Sequence, residues 1–195
     1  MCDTVDSSYG DYAKESFAAA HPFITCLNFN ASCQTAAWSG YGVVRNCCGG
    51  ETLMPEIYTR TLASVPGSRW EFSRWIPDAV VINLGDNDGV DRLDSAGDLQ
   101  VSFLATYTEM IRTIAKSYTS SDPTFFLACG PMSFGYCYYV QESITTLRSE
   151  GISVNYVEFP PFADPNKRCC GHPSSVAQAQ MATQSTAVIA SVMNW

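Results

Sequence analysis

The chain has 195 residues, of which 46% are hydrophobic and 15% charged, which suits one globular domain with a buried core. Its formal net charge of −8 argues against a nucleic-acid partner, because a phosphate backbone needs a basic protein face. No stretch approaches the roughly 18 consecutive apolar residues of a membrane-spanning helix, so no membrane partner is expected.

Short helices and strands alternate along the chain, which predicts an α/β fold with a mostly parallel sheet flanked by helices. Helices are predicted over residues 11–20, 55–62, 94–118, 138–150 and 175–193. Strands are predicted over residues 23–29, 34–38, 79–84, 124–128 and 152–157. Because no repeat or linker interrupts this pattern, we expect a single domain over residues 1–195.

The segment 79–84 and the turn that follows it are the centre of the pattern. The segment is apolar and rich in β-branched residues, which predicts a strand buried on both faces. It stops at Gly85-Asp86-Asn87-Asp88-Gly89, a sequence typical of a tight turn. Ligands of open α/β sheets bind at the carboxyl ends of strands, so this turn is a candidate site. The alternative is a surface turn in which the polar side chains only cap their own backbone.

Two histidines are present, and only one follows a predicted strand. His21 precedes a proline between two predicted elements and is interpreted as a surface turn residue. His172 lies in a Gly-His-Pro-Ser loop after the last predicted strand, where an imidazole could act as a general base. A loop histidine that caps the following helix is an equally good interpretation.

Nine cysteines are more than a reducing cytosol favours, and they indicate disulfides and secretion. The sequon Asn30-Ala31-Ser32 agrees with a secreted protein. The adjacent pairs Cys47-Cys48 and Cys169-Cys170 lack the spacing of a zinc site, so no metal is predicted.

Three polar loops follow predicted strands, and together they resemble the blocks of the SGNH (GDSL-type) hydrolases. Gly85-Asp86-Asn87-Asp88 matches the G-x-N-D block, Ser39-Gly40-Tyr41-Gly42 falls where a second block supplies a glycine, and His172 falls where the catalytic histidine stands. The stretches 37–46, 55–58 and 75–88 make the chain most similar to carbohydrate esterase family 2, a family of secreted polysaccharide deacetylases.

This resemblance implies a flavodoxin-like fold and acetyl transfer through a serine, without a metal or other cofactor. His172 would accept the proton of the serine, and Asn87 would donate its side-chain amide to the oxyanion. The N–H of Gly42 would be the second oxyanion donor, with Gly40 as the alternative. The expected partner is an acetylated polysaccharide or oligosaccharide, and the protein is expected to be a secreted monomer.

Two positions depart from the family pattern. Cys169 stands where most members carry the aspartate of the triad, so a dyad is expected. The G-D-S block that carries the nucleophile is not found; its nearest match places Ser7 after Asp6 without a preceding apolar strand. We therefore expect the first strand and the nucleophile to lie upstream of Met1, and these 195 residues alone to hydrolyse acetyl esters negligibly.

Two other functions are compatible with the sequence. A catalytically inactive relative could bind carbohydrate through aromatic side chains, for which the candidates are Trp38, Tyr41, Tyr58, Trp70 and Trp75. A general esterase or lipase of the same superfamily would instead accept long acyl chains.

Overall fold

The computed structural model of the chain describes residues 16–89, 97–161, 168–169 and 172–195. These residues form two compact units. Unit 1 contains the described residues of Met1–Thr35, Gly130–Met132 and Val157–Trp195, and unit 2 contains those of Ala36–Cys129 and Ser133–Tyr156. The architecture is α/β, as the sequence predicts, while a single domain over the whole chain stays a prediction.

The sheet consists of β1 (Ala79–Asn83), β2 (Thr124–Cys129) and β3 (Val154–Glu158), in the order β1-β2-β3. β1 and β2 are parallel, and their register pairs Ala79 with Thr124. The two final residues of β3 belong to unit 1. All three strands were predicted, because each is a short apolar run bounded by turn residues.

β1 is less buried than its composition predicts. Only Ile82 is fully buried, and Val81 is 39% exposed. Among the described strands, β1 pairs with β2 alone. The expectation of a strand buried on both faces is wrong, because Ile82 joins the core of unit 2 while Val81, which points to the opposite face, is exposed.

The core of unit 2 lies between β2 and two long helices, α3 (Gly97–Ser117) and α4 (Cys137–Ser149). Both helices were predicted from apolar residues at helical spacing, although residues 94–96 of the predicted α3 lie outside the described residues. Their apolar faces pack together with β2, and the fully buried side chains of this core include Phe103, Tyr107, Ile111, Phe125, Leu127 and Tyr136.

The helix predicted over residues 55–62 is a single turn, α2 (Met54–Ile57). Polar groups end it early. The N–H of Trp70 donates to the carbonyl of Thr59, and the hydroxyl of Ser68 both accepts from the N–H and donates to the carbonyl of Leu62. These bonds offer the backbone an alternative to the helix.

Unit 1 is built on α1 (His21–Asn28) and α5 (Ser175–Met193), which pack against each other. The prediction of a strand over residues 23–29 is wrong, because the apolar run is the face of a helix that begins with Pro22 in its first turn. Of the helix predicted over 11–20, residues 11–15 lie outside the described residues and Phe17–Ala19 form a 3-10 turn. The strand predicted over 34–38 is irregular.

Three pairs of cysteines lie close together among the described residues: Cys26 and Cys33 in unit 1, and Cys47 with Cys48 and Cys129 with Cys137 in unit 2. Within the described part of the chain, no helix is long and apolar enough to span a membrane.

His21 is not the surface turn residue that the sequence suggests. It begins α1, its ring packs edge-on against Phe159 at 5.2 Å, and its Nδ1 lies 3.1 Å from Oε1 of Gln178. Burial lowers the pKa of His21 from 6.5 to about 4, and the bond to Gln178 offsets only part of that shift.

The low pKa of His21 predicts acid sensitivity. Between pH 6.5 and 4 the unfolded chain binds this proton more tightly than the folded chain does, so the free energy of unfolding falls as the pH drops through this range. We expect a loss of about 2 kcal/mol from pH 7 to pH 5. Denaturant unfolding at both pH values measures it. His21→Gln should flatten the pH dependence, and an unchanged dependence in that variant would contradict the assignment.

Candidate active site

The turn after β1 requires glycine at its first position. Gly85 has φ +133°, a conformation that other residues rarely adopt. A Cβ there would also lie 2.4 Å from the ring of Tyr136, which is 1% exposed. The next residue, Asp86, accepts the N–H of Ser133 at 2.9 Å. The turn is therefore fixed on one side by the segment that follows β2.

Asp88 fixes the other side of the turn and is completely buried. Its Oδ1 accepts the backbone N–H groups of Val43 at 2.9 Å, Val44 at 2.7 Å and Arg45 at 3.1 Å, and its Oδ2 lies 3.1 Å from the N–H of Val43. Three consecutive donors of the 39–46 loop thus converge on one carboxylate. This carboxylate holds two polar loops together.

The charge of Asp88 is only partly offset by its surroundings. Burial raises the pKa of its carboxyl above the ordinary value, while the three backbone donors and the Arg45 guanidinium lower it. The Arg45 side chain also binds the turn backbone, since its Nε donates to the carbonyl of Asp88 at 2.9 Å and its Nη2 to that of Gly89 at 3.3 Å.

Gly42 has a structural role in this arrangement. A Cβ at Gly42 would lie 2.7 Å from Oδ2 of Asp88 and 2.1 Å from the carbonyl oxygen of Arg45, so only glycine fits. Its N–H donates to Oδ1 of Asn46 at 3.0 Å. The Nδ2 of Asn46 donates in turn to the carbonyls of Gly50 and Thr52, which leaves this buried amide fully bonded.

Gly40 lies in a four-residue turn that the N–H of Tyr41 closes on the carbonyl of Trp38 at 3.4 Å. Its φ of +83° suits the third residue of a type II turn. Among the described residues, the N–H of Gly40 makes no hydrogen bond, while its carbonyl accepts the N–H of Cys47 at 2.9 Å. Of the two glycines considered from the sequence, Gly40 therefore has the available donor.

Asn87 connects the two loops directly. Its Nδ2 donates to the carbonyl of Tyr41 at 2.9 Å, so its amide lies next to the Gly40 turn. An amide nitrogen carries two N–H donors, and this bond uses one of them. Asn87 and the 40–42 backbone are thus brought together within unit 2.

His172 belongs to unit 1. It is exposed and forms β5 (His172–Pro173), whose antiparallel partner β4 (Arg168–Cys169) pairs Cys169 with His172. Ser174 follows and caps α5 by accepting the N–H of Ala177 at 3.4 Å. The role of His172 as a general base stays a prediction, and Ser7 lies outside the described residues.

The sequence did not identify Asn46 and Arg45 as residues that build this site, and it indicated Asp88 only as a residue that shapes its own turn. Only their location in the sequence pointed to the site, since all three lie inside the two polar loops. Within the described ranges, no group of three or more His, Cys, Asp or Glu side chains could hold a metal ion.

Comparison with known proteins gives a consistent result. No family model matches the chain. Its sequence is 33% identical over 200 residues to the cellulase/esterase CelE of Acetivibrio thermocellus. The matched region covers 97% of this chain and 22% of that protein. The chain thus spans about a fifth of the length of this relative.

Solved structures agree in fold. A family two carbohydrate esterase from Clostridium thermocellum, in complex with cellohexaose, is 31% identical with a TM-score of 0.86, over 99% of this chain and 59% of that one. A family 2 carbohydrate esterase from Myceliophthora fergusii has the same TM-score at 24% identity, over 99% of this chain and 62% of that one. The second likeness bears on the fold alone.

Proposed function

This chain is a relative of the family 2 carbohydrate esterases, and we propose that it removes acetyl groups from plant-type polysaccharides by serine acyl transfer. The Clostridium thermocellum relative in complex with cellohexaose supports a carbohydrate substrate. A secreted, monomeric protein with disulfides is part of the proposal, and the three close cysteine pairs among the described residues support it.

The observation that carries the proposal is the contact between Asn87 and the Gly40 turn. The remaining N–H of the Asn87 amide and the unbonded N–H of Gly40 are two donors on adjoining, rigidly held loops. Fixed donors of this kind stabilise the oxyanion of a tetrahedral acyl intermediate, because they need no reorganisation as its charge develops.

The remaining roles follow from the resemblance. A serine would attack the acetyl carbonyl, and His172 would take the serine proton and give it to the departing sugar oxygen. Water would then attack the acetyl-serine and release acetate. A serine from another segment is favoured as the attacking group, and Ser7 is the weaker candidate within this chain. Gly42 supports the oxyanion site through its packing on Asp88, and it is the alternative to Gly40 as donor.

The experiment that tests this proposal measures acetate release by the full natural protein. We expect acetylated xylan and p-nitrophenyl acetate to be hydrolysed, with kcat/KM at least about tenfold higher for acetyl than for octanoyl esters. Ser7→Ala decides which serine attacks. Equal or better cleavage of octanoyl esters would point to a general esterase, and oligosaccharide binding without acetate release would point to a non-catalytic binding protein.

A further inference from the structure

Of the aromatic side chains that could contact a sugar, the structure separates two from the rest. The hydroxyl groups of Tyr58 and Tyr118 share a hydrogen bond of 2.8 Å, and the ring of Tyr58 packs on Phe72. Tyr58 therefore belongs to the interior of unit 2. Trp38 is 37% exposed and packs on Tyr41, with ring centroids 5.2 Å apart and planes inclined by 37°. These two rings stand at the two ends of the Gly40 turn.

We propose that Trp38 and Tyr41 form a sugar-stacking subsite that takes a neutral pyranose of the glycan next to the acetyl group. The inference rests on the proposed function, because it places the ring of the substrate beside the Gly40 donor. Aromatic rings suit this ligand, since the C–H face of a pyranose is apolar while its hydroxyls stay in water.

The first argument is position. Trp38 and Tyr41 are the first and fourth residues of the turn, and the available N–H of Gly40 lies between them in the chain. A sugar whose acyl oxygen binds at Gly40 would therefore be attached beside the turn that carries both rings. Trp70 and Trp75 belong to a different segment, before β1, and have no such relation to the donor.

The second argument is rigidity. The carbonyl of Tyr41 accepts from Asn87, and the carbonyl of Gly40 accepts from Cys47. The Cys47–Cys48 pair lies directly against the turn, because a Cβ at Gly40 would be 3.1 Å from Sγ of Cys47. A platform that is held in place before binding loses little conformational entropy when the ligand arrives.

The third argument is the chemistry of the surroundings. The cysteine pair beside the turn is exposed and adds apolar surface instead of charge. The chain carries a net charge of −8, which disfavours polyanionic glycans. The subsite is therefore suited to a neutral glycan.

The test measures binding of cellohexaose and xylohexaose by titration calorimetry, without any need for hydrolysis. We expect Trp38→Ala to weaken binding of at least one of them about tenfold or more, and Trp38→Phe to retain most of it. Tyr138→Ala is the matched control, since Tyr138 is 62% exposed on α4 of the same unit. We expect Tyr138→Ala to change the affinity less than twofold.

The outcomes separate this inference from the proposed function. No binding by the unaltered protein, equal affinity in Trp38→Ala, or equal losses in Trp38→Ala and Tyr138→Ala would overturn the subsite. Hydrolysis of p-nitrophenyl acetate by the unaltered protein reports on the esterase alone, because this ester carries no sugar. Binding that depends on Trp38 in a protein without esterase activity would keep the subsite and overturn the enzyme.

Discussion

Asp88→Ala is expected to lower the free energy of unfolding by about 3–5 kcal/mol. The substitution removes the acceptor of three backbone N–H groups, those of Val43, Val44 and Arg45, and each buried donor left without a partner costs about 1–3 kcal/mol. Partial access of water to the last two donors limits the total. Urea unfolding, followed by fluorescence, measures the change.

Asp88→Asn provides an intermediate variant. The amide oxygen of asparagine can still accept hydrogen bonds, while its NH₂ group takes the place of Oδ2, which lies near the N–H of Val43. We expect this variant to lose about half as much stability. Asp122→Ala is the control, since Asp122 is exposed in a loop of the same unit, and it should change stability by less than about 0.5 kcal/mol. Equal stability of Asp88→Ala and Asp122→Ala would show that the carboxylate does not hold the two loops.

Asn87→Ala is expected to reduce kcat for acetyl esters by about 10²–10³-fold in the full natural protein, with little change in KM. The reason is that an oxyanion donor contributes in the transition state and much less in the ground state. Steady-state kinetics with p-nitrophenyl acetate measures the two constants separately.

The same substitution removes the bond from Asn87 to the Tyr41 carbonyl, so a structural effect has to be separated from a catalytic one. Melting temperatures of the variant and the unaltered protein serve this purpose. Asn28→Ala is the control, because it also removes a side-chain amide that is hydrogen-bonded, here to Thr186, in a different part of the fold. A rate loss in Asn87→Ala that matches its loss of folded protein, or one no larger than in Asn28→Ala, would contradict the assignment.

The long elements of the fold were predictable because their patterns are strong. α5 has the predicted bounds of residues 175–193, and β2 and α4 differ from the prediction by one residue at one or both ends. The segment 23–29 was wrongly predicted as a strand, because seven residues are too few to distinguish helical periodicity from a strand. In addition, Pro22 was interpreted as the end of a helix, whereas it lies in the first turn of α1.

The site was predictable in place but not in its internal bonding. Asn87 was recognised from the G-x-N-D resemblance, and the structure places it against the 39–46 loop. The partners of Gly42 were not predictable, because the choice between Asn46 and a ligand depends on how a loop of eight residues folds. The hydrogen bonds of Asp88 were not predictable either, because its carboxylate oxygens accept N–H groups more than 40 positions earlier in the chain.

The converging N–H groups of residues 43–45 have one more consequence. Such a concave run of amides is a nest, a general receptor for small anions such as phosphate or carboxylate. Here the nest is filled by the carboxylate of Asp88, which is part of the chain and is always present at the receptor. Free acetate, the product of deacetylation, would have to displace a tethered competitor to bind there. The nest is therefore already occupied, and under the proposed function it would not bind the acetate product.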